Sequence, residues 1–178
     1  MHDAHDVVPD PHEWLESEDR SEREARAERL GWLIRGYPVA PLGFLLGGGW
    51  LSKQILEEVK YCFTYGQFVA ASVLGFSLIE RLLAAELYGS GNDAMERAKS
   101  VDLLRVACET GRLSADEFAL LDRLRVLRNP LVHFRKPLSS DTIEQRLVAT
   151  DASPEAIVEQ DARWVISALF RLLAKHAV

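Results

Sequence analysis

Residues 67–88 read QFVAASVLGFSLIERLLAAELY, and the architecture can be built outward from them. Apolar side chains occupy almost the whole helical circumference, no proline interrupts the run, and Glu80 is the only carboxylate between Glu58 and Glu86. A helix that is hydrophobic on every side belongs at the centre of a bundle. Its longest apolar run, Phe68–Ile79, contains serine and glycine and is too short to span a bilayer, so no membrane partner is expected.

The flanking segments are helical too. Upstream, Ser52–Tyr65 repeats Ile55, Val59 and Phe63 at near-four spacing and is separated from the central helix by Gly66. Downstream, Gly89-Ser90-Gly91-Asn92 reads as a turn. Ser100 then caps a short helix, Val101–Thr110, closed by Gly111. Ser114-Ala115-Asp116-Glu117 is a capping box opening a helix with Phe118, Leu121, Leu124 and Leu127 on its inner stripe. Phe134–Asp151 looks irregular, with one turn near Thr142–Leu147. Ser153-Pro154-Glu155 starts the last helix, which runs to about Lys175 and buries Val158, Ala162, Val165, Leu169 and Leu172. The expected fold is all-α, an up-and-down bundle of four main helices with an added N-terminal helical segment.

Charge divides the chain unevenly. Residues 1–30 hold ten carboxylates against four arginines, which accounts for the entire formal charge of −6. We therefore separate residues 1–50 (acidic tail, N-terminal helix, Gly/Pro linker) from a helical domain at 51–178. Met1–Asp10 reads as a disordered tail and about His12–Arg35 as a helix with Trp14, Leu30, Trp32, Leu33 and Ile34 at its ends. Tyr37-Pro38 stops that helix. Gly47-Gly48-Gly49 has no following Gly-Lys-Ser/Thr, so it reads as a hinge and not as a phosphate loop. Cys62 and Cys108 read as reduced core thiols, and neither cysteines nor histidines show metal-ligand spacing. No metal and no cofactor is expected. The acidic N-terminus is unlike a signal peptide, and a cytoplasmic protein is expected.

Arg128-Asn129-Pro130-Leu131-Val132-His133 carries the chemistry. Arginine presents a fixed fork of donors that fits phosphate, and histidine exchanges protons near neutral pH. From Arg123 to Lys136 there are five cationic side chains and no carboxylate. A second Arg-x4-His, Arg171 to His176, lacks the asparagine, ends an apolar helix and reads as coincidence. With its asparagine and its cationic surroundings, the 128–133 stretch resembles the Arg-Asn-x-x-x-His signature of the HEPN superfamily. These are small all-α domains, many of them metal-independent endoribonucleases of toxin–antitoxin, phage-defence and RNA-processing systems. The resemblance covers about residues 52–176.

It implies that Arg128, Asn129 and His133 are catalytic: Arg128 holds phosphate, His133 transfers protons, and Asn129 orients Arg128 or the scissile group. It also implies RNA as substrate and a homodimer with a composite cleft, because one Arg/His pair lacks a second acid–base group. An antitoxin or other regulatory partner is a further expectation. Arg125, Arg135 and Lys136 are expected to bind phosphate. Glu80 is a supporting candidate that either anchors Arg128 or Arg125 or pairs locally with Arg81. Trp50 and Trp164 either stack on bases or join the core. In toxins silenced by nucleotidylation, a tyrosine follows the histidine by two positions; here Arg135 stands there, a departure from that subgroup's pattern. The alternative function is a non-catalytic module binding RNA, a nucleotide or a protein.

Pro130 leaves two local geometries open. Either Asn129 caps and Pro130 starts a new helical turn carrying His133, or the helix kinks and continues with Asn129 and His133 on one face. The acidic segment is a candidate intramolecular cover for the basic cleft.

Overall fold

The computed structural model describes residues 10–41, 43–44, 46–92 and 97–176. The expected tail lies almost wholly outside them. Among the described residues the chain is all-helical, with α1 (Pro11–Gly36), α2 (Trp50–Thr64), α3 (Phe68–Gly89), α4 (Ser100–Glu109), α5 (Ala115–Val132), α6 (Ile143–Thr150) and α7 (Pro154–Ala174).

Helix α3 is the hub, packing on α2, α4, α5 and α7. Phe76, Leu78, Ile79, Leu82, Leu83 and Leu87 are essentially removed from water. The whole helix has the length and apolarity of a membrane span. Phe68–Ile79 therefore understates the apolar length of this helix, and half of its most apolar window is buried among the neighbouring helices. Gly75 allows the closest approach: a Cβ there would meet Val165 Cγ1 of α7 at 2.8 Å. Overpacking of this kind typically costs about 1–3 kcal/mol.

Helix ends follow the local chemistry closely. The Ser114 hydroxyl accepts from the Glu117 N–H and the Glu117 carboxylate accepts from the Ser114 N–H, completing the capping box. Ser153 caps α7 with Pro154 at its first position. Ser100 departs from expectation. Lys99 occupies the cap position of α4, and the Ser100 hydroxyl donates to Glu80 on α3 instead. The region 134–151 is more regular than expected: Thr142 caps α6, a full helix of 8 residues. Arg146 on α6 makes a two-pronged pair with Asp161 on α7 at 2.5 and 2.8 Å, and Asp161 is buried.

The C-terminal part of α1 belongs to the common core. Leu33 is buried in it, Trp32 meets Phe63 at 5.1 Å between ring centroids, and Arg29 Nε donates to the Thr64 carbonyl at 2.9 Å. Trp14, Leu30 and Ile34 remain exposed, so only part of the apolar content of α1 packs. The triple glycine is a tied loop instead of a free hinge. Arg81 donates to the Gly48 carbonyl and to Ser52, and a Cβ at Gly48 (φ +80°) would lie 2.6 Å from the Ser52 hydroxyl. Trp50, 75 % exposed, and Trp164, 45 % exposed, are not core residues.

Candidate functional site

Helix α5 resolves the Pro130 question. The helix runs unbroken through Pro130 to Val132, and His133 is its C-cap in extended conformation (φ −128°, ψ 132°). Neither expected geometry holds in full: no new helical turn begins at Pro130, and His133 leaves the helix instead of sharing a face with Asn129. Pro130 removes one backbone bond from the helix, and the helix stops two residues beyond it, where the His133 N–H reaches the Asn129 carbonyl at 2.9 Å.

Arg128 points into the bundle. Its Nη2 lies 2.9 Å from Glu80 Oε2, and its guanidinium sits over the Phe76 ring at 5.1 Å. The side chain is 15 % exposed, and its Nε is buried without a hydrogen-bond partner. The Ser100 hydroxyl donates to the other Glu80 oxygen, so α3, α4 and α5 meet at this carboxylate. Burial pushes the Glu80 carboxyl above the usual carboxylate range, against the opposing pull of Arg128 and Arg125. Of the partners open to Glu80, Arg128 is the one taken. Arg81 is engaged with the glycine loop, and Arg125 Nε pairs with Asp122 at 2.8 Å.

A polar cavity of about 360 Å³ adjoins this junction, lined by Glu80, Arg81, Ala84, Ala98, Ser100, Leu103 and Arg128. Asn129, half-buried, and the exposed His133, Arg135 and Lys136 do not line it. The motif is therefore split: its arginine is anchored inside, and its histidine is displayed outside with two cations following it. Arg123 reaches Asp141 at 2.5 Å and ties the loop after His133 back to α5.

The second Arg-x4-His forms no site of this kind. Arg171 is exposed, while His176 Nε2 faces Glu86 at 3.2 Å, out of line for a hydrogen bond. Three of the seven carboxylates of α1 pair with arginines of the same helix, in Glu16–Arg20, Asp19–Arg26 and Glu22–Arg29. Helix α1 packs chiefly on α2, whereas α5 packs on α3, α4 and α7. A cover over the basic stretch by the described part of this segment finds no support in these contacts. A concavity of about 810 Å³ runs between α1 and α2 and contains no motif residue. Among the described residues no cluster of His, Cys, Asp and Glu has the makings of a metal site, and both cysteines are free.

The Glu80–Ser100 contact and the Arg146–Asp161 pair escape sequence reading, since each joins helices through residues 20 and 15 positions apart. Compared with known proteins, the chain matches no family model, no curated protein and no solved structure.

Proposed function

We propose that this protein is a metal-independent endoribonuclease of the HEPN type, acting in the cytoplasm as a toxin or defence nuclease. The observation that carries the reading is His133, exposed at the end of the helix that also holds Arg128 and followed by the exposed Arg135 and Lys136. Cleavage needs three things, which are removal of the 2′-hydroxyl proton, protonation of the leaving oxygen and neutralisation of phosphate charge. The 2′-oxygen bonds to phosphorus as the bond from phosphorus to the 5′-oxygen breaks. One imidazole takes the 2′ proton and a second, protonated imidazole supplies the 5′ proton. His133 fills the first role, and His133 of a second copy fills the other across a two-fold interface. Asn129 orients the arginine or the scissile group, Arg128 carries the phosphate contact, and Arg125, Arg135 and Lys136 hold the flanking backbone. An antitoxin or another regulatory partner fits this reading. Incubating the protein with RNA in EDTA tests the reading: 2′,3′-cyclic phosphate and 5′-hydroxyl ends support it, and intact RNA contradicts it.

The second reading is a binding module without turnover. It is favoured by Arg128 facing Glu80 and the polar cavity while His133 lies elsewhere. Retention of RNA or nucleotide with no cleavage selects it.

A further inference from the structure

Phe134 follows the candidate catalytic histidine and is 91 % exposed, the most exposed large apolar residue in the described chain. Its loop is held in place. The His133 N–H bonds to the Asn129 carbonyl at 2.9 Å, the Ser139 N–H to the Lys136 carbonyl at 3.1 Å, and the Thr142 hydroxyl to the Ser139 carbonyl at 2.8 Å. Arg123 clamps Asp141 at 2.5 Å, and Thr142 is buried. Leu138 is held at φ +64°, a left-handed conformation uncommon for a non-glycine residue. The chain thus keeps a phenyl ring in water on a pinned loop, where burial would stabilise it by about 1.5–3 kcal/mol.

We infer that Phe134 is a stacking platform for an unpaired base of single-stranded RNA, which adds a substrate class to the nuclease reading on which it rests. A phenyl face stacks on any base, contributing about 1–3 kcal/mol. The surroundings fit a polyanion: His133 precedes the ring, and the exposed Arg135 and Lys136 follow it. The local apolar surface is Val132, Phe134 and Leu138, three side chains set among cations. That is small beside the roughly 800 Å² each partner contributes to a stable protein interface. Stacking needs an unstacked base, so a duplex offers the ring nothing. Single strands bind on both the phosphate contacts and the ring, duplexes on the phosphates alone.

The test is fluorescence anisotropy with a labelled, 2′-O-methylated oligoadenylate, which lacks the attacking hydroxyl, against the same strand in a duplex. Phe134→Ala and Phe134→Leu are expected to weaken single-strand binding about tenfold, Phe134→Trp to preserve it, and duplex binding to be unchanged in all three. Leucine binding as tightly as phenylalanine would show mere apolar contact and overturn the proposal. Unchanged affinity in Phe134→Ala would overturn it too, leaving the nuclease reading intact. Loss of self-association in Phe134→Ala, with normal RNA affinity, would give the ring to a second copy and overturn it equally. A wild-type protein that binds neither oligonucleotide would overturn the nuclease reading and the stacking platform together.

Discussion

Arg128 Nη2 lies 2.9 Å from Glu80 Oε2, so the arginine of the motif is held by a carboxylate in the middle of the central apolar helix. Because Ser100 donates to the same carboxylate, the contact fixes α3, α4 and α5 together beside the candidate site. Removing one partner of a buried pair strands the other and costs about 3–5 kcal/mol. With 15 % and 21 % of the two side chains exposed, the lower end of that range applies. Urea unfolding of Glu80→Ala is expected to show that loss, and a change below about 1 kcal/mol would mean that the pair is solvated.

Two carboxylates give opposite pH signatures. Glu80 is raised above its ordinary value by burial, so its contribution to stability falls as pH rises from the ordinary carboxylate range through its folded pKa. Burial alone would raise Glu117 as well, but the Lys175 ammonium and the Ser114 N–H outweigh it and hold Glu117 below the ordinary range. Its contribution is present above the unfolded pKa and is lost as pH falls through the folded one. Across a pH series, the stability difference between wild type and Glu80→Gln should move toward the variant as pH rises. That between wild type and Glu117→Gln should move toward wild type. Equal signs for the two would contradict the assignment.

Arg146 and Asp161 join α6 to α7 through two bonds to a buried carboxylate. Arg146→Ala leaves that carboxylate unpaired, and a loss of about 3–5 kcal/mol in unfolding free energy is expected. Asp161→Asn in the same background should recover part of it. No recovery would show that lost packing, not stranded charge, causes the effect.

Pro130 stands inside the last turn of α5. Pro130→Ala supplies the missing backbone N–H and is expected to stabilise the protein by about 1 kcal/mol with slightly more helix by circular dichroism. Destabilisation would mean that the proline ring packs in a way that outweighs the lost bond.

The helices were largely legible in the sequence because their signals are local. The all-round apolarity of α3 and the Ser114/Glu117 capping box depend only on neighbouring residues. Glu80 stands out as the only carboxylate between Glu58 and Glu86, but choosing Arg128 over Arg125 and Arg81 requires knowing which helix lies opposite. Ser100 was misleading because a serine before a helix is ordinarily a cap, and its actual acceptor lies 20 residues upstream. Helix α6 was hidden by its polar composition, since part of what holds it is a charge pair to α7. Pro130 suggests a break because a proline past the first turn is costly, yet the helix carries it and stops only two residues later, at Val132. The exposure of Trp50 and Trp164 could not be read from spacing, as an aromatic residue at helical spacing fits either face.

The most direct measurement of the central claim, that residues 128–133 carry RNA cleavage, is the yield of 2′,3′-cyclic phosphate ends from RNA in EDTA. It should compare wild type, Arg128→Ala, His133→Ala and His176→Ala, each checked for retained helicity. The account predicts cyclic phosphate ends from wild type and His176→Ala, and none above background from Arg128→Ala and His133→Ala. Full cleavage by His133→Ala, or its loss in His176→Ala alone, would contradict it.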